Sequence, residues 1–189
     1  MAVLPLPALL LLAAVGCAAP PPPPGTLSES QARSVWLPER LGWVSSEHAS
    51  GALPSAIALG GKASGRVLVY LEFNAPPEPG RLLRAALLLD TDGAPGSSID
   101  VELSRADAAR ARLDSWSDQP AARYPRLSRS LSPAPAPVRL DVTPLVRAER
   151  KAGEPLRLLL RAEPSSAEPV LLATGAAGGA APRLEIYRE

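Results

Sequence analysis

Few residues of this chain have side chains suited to catalysis. Its only histidine, His48, lies in a polar segment with Ser45, Ser46 and Glu47. The sequence lacks the Gly-x-Ser-x-Gly turn that would present a serine nucleophile to such a histidine. One histidine and one cysteine are also too few for the common tetrahedral zinc sites. We therefore expect His48 to be a solvated loop residue, and we expect neither a metal nor another cofactor.

Two groups of carboxylates could bind an ion or transfer protons. The segment Asp90–Gly93 begins like a calcium loop, but the later oxygen ligands of such a loop are not in place, so a turn is favoured. Asp114 and Asp118 flank Trp116, and paired carboxylates hydrolyse glycosidic bonds in many enzymes. On a loop, such carboxylates more often face solvent, so the favoured interpretation is not catalytic.

Aromatic rings could stack on the faces of sugar rings, and the chain has three Trp, three Tyr and one Phe. Tyr70 alternates with core positions, which predicts that it points outward and makes it the first candidate for stacking. Tyr124 follows in a segment rich in Pro and Ser, predicted as a loop. Trp43 lies near the first strands, either in the core or at its rim. So few aromatics permit one small site rather than a long groove.

The elements that would position these residues are short strands with apolar side chains at every second position. Residues 67–73 show the pattern most clearly, and residues 99–103, 138–142, 156–160 and 184–186 repeat it. Residues 85–89 are a continuous apolar run that could be strand or helix, and their length and the turn residues after them favour a strand. Roughly ten such strands separated by turn residues predict an all-β fold, a jelly-roll-like antiparallel β-sandwich with one short helix. The predicted core includes Val67, Val69, Leu71, Phe73, Val101, Leu140, Leu158 and Ile186.

One helix is predicted after residue 142. Thr143 is a suitable cap, Pro144 suits the first helical position, and Gly153 suits the position after the last turn. Residues 106–113 form a second, shorter helical candidate because they are rich in Ala, Arg and Leu.

Charge excludes some classes of partner. The chain has 20 basic and 19 acidic side chains with both signs interspersed. It therefore lacks the basic footprint of a nucleic-acid-binding protein and has no polybasic run that would bind anionic lipid. Its length from residue 27 onwards fits one domain with a core large enough to need no disulfide or metal.

The N-terminus has the pattern of an export signal. An apolar stretch, Leu9–Val15, ends in small residues directly before Cys17, the only cysteine. The segment resembles a bacterial lipoprotein signal, and the resemblance implies that residues 1–17 end at a lipidated Cys17. An ordinary secretory signal is the alternative. A transmembrane helix is disfavoured because the run is short and contains Pro5 and Pro7.

A proline-rich segment separates this signal from the rest of the chain. Residues 18–26 include five consecutive prolines, Pro20–Pro24, which favour an extended spacer. The predicted organisation is therefore a signal (1–17), a tether (18–26) and a β-sandwich domain (27–189).

An ordered series of short segments carries a family resemblance. The segments are Ile57–Gly60, Arg66–Phe73, Ala85–Leu89, Trp116–Pro120, Asp141–Val146 and Pro182–Tyr187. In this order they resemble the DNRLRE-type domain, a jelly-roll family classed among carbohydrate-binding modules of secreted prokaryotic proteins. The resemblance implies a jelly-roll sandwich in which Trp116, Asp141 and Thr143 are structural residues, and it implies polysaccharide as a possible partner.

These observations together predict a non-catalytic lipoprotein of the bacterial cell envelope, anchored by lipid, with the outer membrane favoured. Its domain would bind polysaccharide, with Tyr70, Tyr124 and Trp43 as candidate ligand contacts, or serve as a structural surface module. An envelope assembly protein that binds another protein through a sheet edge or an arginine-bearing face is the alternative. A polysaccharide hydrolase is the least favoured reading.

Overall fold

The computed structural model describes residues 32–48, 51–74, 80–108, 113, 115–148, 154–165, 167–176, 178 and 180–189. Twelve strands, one α-helix and two 3₁₀ turns occur in these ranges. The strands are β1 (Ala32–Trp36), β2 (Arg40–Ser45), β3 (Ala56–Leu59), β4 (Val67–Phe73), β5 (Leu82–Leu89), β6 (Thr91–Gly93), β7 (Ile99–Ala106), β8 (Ala122–Leu131), β9 (Val138–Asp141), β10 (Leu156–Ala162), β11 (Val170–Ala173) and β12 (Arg183–Arg188). The α-helix is α1 (Thr143–Arg147), and the 3₁₀ turns are Lys62–Ser64 and Trp116–Asp118.

The strands form an antiparallel sandwich, as predicted. The front sheet has the order β2-β4-β10-β7-β8, and the back sheet has the order β1-β12-β5-β9. A small sheet, β3-β11-β6, extends the back sheet, because β6 follows β5 after a single residue, Asp90. All pairings within these sheets are antiparallel. The expected all-β, jelly-roll-like antiparallel sandwich with one short helix is confirmed.

The main core lies between the sheets and follows the period-two pattern of the strands. Side chains such as Val69 and Leu71 of the front sheet share one cluster with Leu87 and Ile186 of the back sheet. All eight predicted core residues belong to this cluster and are at least 96 % buried. Alternation alone was therefore sufficient to identify the face of each strand that turns inward.

A second, smaller core covers the opposite face of the front sheet. Leu68 and Tyr70 of β4 are buried there with Leu159, Val44, Ala106 and Leu113. Leu113 belongs to the connection between β7 and β8, and its Cδ1 lies only 2.9 Å from where a Cβ on Gly42 would stand. Glycine at position 42 thus allows this connection to approach the sheet closely. The front sheet is consequently apolar on both faces at β4, whereas Asp100, Ser128 and Ser130 of its outer face are exposed.

Several elements differ from the sequence prediction. Residues 106–113 are not one helix, since Ala106 ends β7 and the next two residues are irregular, while residues 109–112 lie outside the described part. The segment predicted as a turn after Asp90 is strand β6, which pairs with β11. The Pro- and Ser-rich region contains β8, a ten-residue edge strand that carries Tyr124.

The helix is shorter than expected and is capped differently. It spans Thr143–Arg147, with Val142 in the N-cap position and Pro144 in its first turn. Thr143 is therefore the first helical residue rather than the cap. Its hydroxyl instead accepts a hydrogen bond from the backbone N–H of Ala85, at 2.9 Å, which ties the helix to β5. Gly153, the predicted terminator, lies outside the described residues.

The second core predicts a large cost for truncating Leu113. Leu113→Ala should lower the free energy of unfolding by about 2–5 kcal/mol, because it leaves a cavity against β4. Leu37 is the matched control, since it is 66 % exposed, and Leu37→Ala should change stability by less than about 0.5 kcal/mol. Urea unfolding of both variants measures the difference. Equal, small effects would contradict the packing of the connection against the front sheet.

Candidate ligand-binding cleft

Tyr70 does not have the exposed ring expected of it. The side chain points away from the main core, as alternation predicted, but it is fully buried in the second core. Its hydroxyl donates a hydrogen bond to Glu72, and the Arg40 guanidinium lies 5.4 Å from the ring centroid. The expectation that Tyr70 offers a free stacking surface is wrong, because the β7–β8 connection covers that face. Alternation could not show this cover, because it reports the face of a strand on which a side chain lies and not what packs on that face.

Tyr124 is exposed, although on a strand rather than in a loop. It lies on β8, an edge strand of the front sheet, and 80 % of its surface is accessible. The guanidinium of Arg126 lies 5.3 Å from the ring centroid, which is a cation–π distance. Tyr124 is thus a flat exposed ring with a cation beside it.

Trp43 lines a cleft between the edge strands β2 and β3. The cleft has a volume of about 320 Å³ and opens to solvent where the two sheets of the sandwich separate. Its described lining residues are Trp43, Ser45, His48, Pro54, Ala56, Ile57, Ala58, Ala63, Ser64 and Val67. Ile57 and Val67 also belong to the main core, so the floor of the cleft is rigid apolar structure.

The indole of Trp43 forms part of the cleft wall. The ring packs against the main core, and its Nε1 atom is buried without a hydrogen-bond partner among the described residues. A buried donor that makes no hydrogen bond is uncommon and costs about 1–3 kcal/mol. Because Nε1 is shielded from solvent, it does not itself face the open space of the cleft. The cleft therefore presents apolar walls beside the hydroxyl and imidazole groups of its rim.

Ser45 organises the rim of the cleft. Its hydroxyl donates to the carbonyl of Ser64 at 2.7 Å and accepts from the backbone N–H groups of Glu47 and His48, at 3.1 and 3.3 Å. These bonds link β2 to the 3₁₀ turn and fix the start of the loop that carries His48. The imidazole is exposed, as expected for a loop residue, yet it lines the cleft opening.

Tyr124 and Trp43 cannot contact one small ligand. Trp43 is on β2 and Tyr124 on β8, which are the two opposite edges of the five-stranded front sheet. Four strand spacings of about 4.8 Å separate these edges by roughly 19 Å. The three candidate aromatics thus occupy a buried core, an exposed edge and a cleft, and the fold does not bring them together.

The back sheet carries a charged network that the sequence analysis did not identify. Glu185 is buried with only 1 % of its surface exposed, and both Arg139 amino groups donate to its Oε2 at 2.5 Å. The Tyr187 hydroxyl donates to the same carboxylate at 2.6 Å, and Arg33 bonds to its other oxygen. The only available sign was that Glu185 and Tyr187 alternate with the core residues of β12.

The network keeps Glu185 ionised. Burial by itself raises the pKa of this carboxyl, but the hydrogen bonds from Tyr187 and Arg33 and the charges of Arg139 and Arg33 outweigh it and lower the pKa. Conversely, burial and the hydrogen bond to Glu185 raise the pKa of the Tyr187 hydroxyl. With both arginines bonded to it, this carboxylate serves as a structural link between β1, β12 and β9.

Asp141 and Thr143 form a local structural pair. Asp141 Oδ1 accepts from the Thr143 backbone N–H at 2.9 Å and from its hydroxyl at 2.6 Å. Burial raises the Asp141 pKa, but these two bonds, with the charges of Arg84 and Arg129, lower it on balance. The two side chains thereby join β9 to the start of α1, the structural position that the family resemblance implied.

Trp116 lies half-buried in a 3₁₀ turn against the second core. Ser115 and Asp118 cap that turn reciprocally, and Arg161 donates to Gln119 at 3.0 Å, which fixes the segment to β10. Asp114, the other member of the proposed carboxylate pair, lies outside the described residues. Asp118 therefore has a capping role in this structure.

The described residues contain neither a cluster of metal-binding side chains nor a membrane-spanning helix. Within them, no three His, Cys, Asp or Glu side chains converge closely enough to hold a metal ion. None of the helices in that part of the chain is both long and apolar enough to cross a membrane. Cys17 and the proline-rich segment are outside the described ranges.

No family model matches the chain, and no curated protein matches it.

The Glu185 network predicts a pH-dependent stability difference. Glu185→Gln should lower the free energy of unfolding at pH 7 by about 1.5–3 kcal/mol, because charge-assisted bonds to Arg33 and Arg139 are lost. The folded-state pKa of Glu185 is depressed. Its contribution is therefore present above the unfolded value of about 4.3 and is lost as pH falls through the lower folded value.

The measurement is chemical denaturation of both proteins from neutral pH to about pH 3, where the stability difference should shrink. Glu189→Gln is the control, since its pair with Arg81 is exposed and should contribute less than about 1 kcal/mol. A difference that stays constant across this pH range would show that Glu185 is not held ionised.

Proposed function

We propose that this protein is a non-catalytic binding module of the cell envelope, anchored by a lipid on Cys17, that takes a sugar unit of a polysaccharide in the Trp43 cleft. The single observation that carries the proposal is an open cleft of about 320 Å³ whose lining combines an indole and other apolar walls with serine hydroxyls and an imidazole. Sugars offer hydroxyl oxygens to such polar groups and apolar ring faces to such walls.

The dimensions of the cleft favour a small ligand. Its volume is at the lower end of the range of about 300–1,000 Å³ that is typical of ligand pockets. Two walls consist of Ala56, Ala58 and Ala63, whose small side chains leave space near the indole. This geometry suits one sugar unit or the end of a chain, and it matches the small number of aromatic residues in the sequence.

The chemistry of the rim favours binding over hydrolysis. Glycoside hydrolysis in most families needs two carboxyl groups on either side of the scissile bond. The described lining residues supply an imidazole, serine hydroxyls and an indole, and none of them is a carboxylate. The imidazole and the hydroxyls can hydrogen bond to a sugar, so a binding role follows from the lining as described.

The position of the cleft suits a tethered domain. Ala32, where the described chain begins, pairs with Arg188, which pairs with Leu82 at the start of β5. The cleft is built partly from β3 of the small sheet, which extends the other end of β5. The eight residues of β5 span about 26 Å, so the cleft faces away from the point where a lipid tether would join.

The resemblance to DNRLRE-type domains supports the same class of function. Its ordered segments fall on β3, β4, β5, the Trp116 turn, the β9–α1 junction and β12. Each segment thus coincides with a structural element, and the segments on β3 and β4 supply Ile57, Ala58 and Val67 to the lining of the cleft. The proposed family membership therefore accounts for the scaffold on which the Trp43 cleft is built.

A protein partner is the second candidate function. Strand β1 is an edge of the back sheet, and its Val35 is 48 % exposed. Leu37, the first residue after the strand, is 66 % exposed. Exposed edges with apolar side chains can pair with a strand of another protein. In that case binding would depend on β1 and not on Trp43.

Substitution of Trp43 tests the cleft. Trp43→Phe keeps an aromatic ring but removes part of the apolar wall, so affinity for a bound glycan should fall about tenfold. Trp43→Ala should abolish binding. The measurement is a glycan array to identify the ligand, followed by calorimetric titration of the full chain and each variant. Tyr124→Ala is the matched control on the opposite sheet edge and should bind normally.

Thermal unfolding of each variant separates binding from folding. Loss of binding in Tyr124→Ala with normal binding in Trp43→Phe would move the ligand site to β8. Failure of the full chain to bind any neutral or acidic polysaccharide would overturn the proposal and favour the partner-binding edge at β1.

The lipid anchor has its own test. Cys17→Ser removes the thiol to which lipid would attach, so the protein should move from the membrane pellet to the soluble fraction of the cell envelope. Fractionation and the mass of the mature N-terminus measure this outcome. Unchanged pelleting, or cleavage at a different residue, would contradict lipidation and support an ordinary secretory signal.

A further inference from the structure

The end of the back sheet where the described chain begins carries a group of arginines from separate parts of the sequence. We call this group the arginine end, and its members are Arg33, Arg81, Arg84, Arg147 and Arg188. They come from β1, the residue before β5, β5 itself, α1 and β12. No two are neighbours in sequence, which is why the sequence showed no polybasic run.

Backbone pairing places these residues together. Arg33 is opposite Tyr187, which is opposite Arg84, and Arg188 is opposite Ala32 and Leu82. Arg81 exchanges backbone hydrogen bonds with Glu189, directly beyond this row. Arg147 reaches the same end from the helix, because its guanidinium donates to the carbonyls of Leu82 and Leu83, at 3.3 and 3.1 Å.

Among the described residues, positive charge exceeds negative charge at the arginine end. Described carboxylates bonded to Arg33 and Arg81, or in the field of Arg84, are Glu185, Glu189 and Asp141, so three described acids face four of these arginines even with Arg188 left out of the count. Glu185 is buried and shared with Arg139, and Asp141 is engaged by Thr143. Arg84 makes no ion pair within the described part of the chain, and its side chain is exposed.

We propose that the arginine end docks on an anionic lipid bilayer, so that the sandwich rests on the membrane with the Trp43 cleft facing outward. This inference rests on the proposed lipid anchor at Cys17. Residues 18–31 number fourteen and can span at most about 50 Å, so the anchor keeps this end of the domain within reach of the headgroups. Basic residues near such a surface contribute favourably, and salt weakens their contribution.

The experiment measures vesicle binding without the lipid anchor. The full chain with Cys17→Ser is sedimented with vesicles of phosphatidylcholine and phosphatidylglycerol, and with vesicles of phosphatidylcholine alone. Any contribution of the apolar N-terminal segment is common to both, so the difference reports charge. The phosphatidylglycerol vesicles should bind more protein, and the excess should disappear at high salt.

Two matched triple variants locate the surface. In the Cys17→Ser background, R81Q/R84Q/R147Q should reduce the phosphatidylglycerol-dependent binding about tenfold to a hundredfold. R123Q/R126Q/R129Q removes the same charge from β8 and should leave that binding largely unchanged. Melting temperatures of both variants confirm that each remains folded.

Other outcomes would overturn the proposal. Equal binding to both vesicle types, or equal loss in the two triple variants, would exclude a specific docking end. Binding of an acidic polysaccharide through the same arginines, without preference for phosphatidylglycerol, would assign the surface to a glycan instead. Glycan binding at Trp43 is measured separately in R81Q/R84Q/R147Q and should persist. A failure of lipid docking can therefore be told apart from a failure of glycan binding.

Discussion

Burial of strand β4 on both faces is the constraint on which the rest of the structure depends. Val67, Val69 and Leu71 point into the main core, while Leu68 and Tyr70 point into the second core, and all five are at most 1 % exposed. A slip of one residue would exchange these two sets and disrupt both cores. The register of β4 therefore fixes its neighbours, and it places Trp43 opposite Val69 and Ser45 opposite Val67. The geometry of the cleft follows from that register.

The two outer faces of the sandwich are closed in different ways. The β7–β8 connection covers the front sheet with apolar side chains such as Leu113. On the back sheet, Arg33 and Arg139 lie over the buried Glu185 and satisfy it with charge-assisted hydrogen bonds. Truncating either arginine would leave that carboxylate with fewer donors, which is costly for a buried charge. The proposed ligand contacts lie at the edges and ends of the sheets.

The cleft and the arginine end therefore distinguish two ends of the domain. The cleft lies at the edge formed by β2 and β3, and the arginine end lies where the described chain begins. In the proposed arrangement, one end of the domain contacts anionic lipid and the other end presents a sugar-binding cleft. A single short strand, β5, connects the two regions, so their separation is set by its length rather than by a flexible linker. A rigid separation of this kind would keep the cleft clear of the headgroups.

Sequence reasoning was sufficient for the fold class and the main core, because strand periodicity is a local property that survives folding. The inward positions of β4, β7, β9, β10 and β12 could all be read from alternating residues such as Val69 and Leu158. The sequence also singled out Trp43 and placed His48 in a loop. The proline and serines of β8 are typical of loops, and residues 128–137 are compatible with a loop or an edge strand. Pairing with β7, a distant contact, decides that residues 122–131 are a strand.

Only the tertiary structure decides which residues lie next to one another. Tyr70 has the alternation of a surface residue, and it is buried solely because Leu113, more than forty positions later, packs over the same sheet. Arg33 and Arg147 are far apart in the chain and meet because antiparallel pairing brings β1, β12 and β5 to one end. Periodicity specifies the face of a strand on which a side chain lies. Only long-range packing specifies what covers that face and which charges gather at its end.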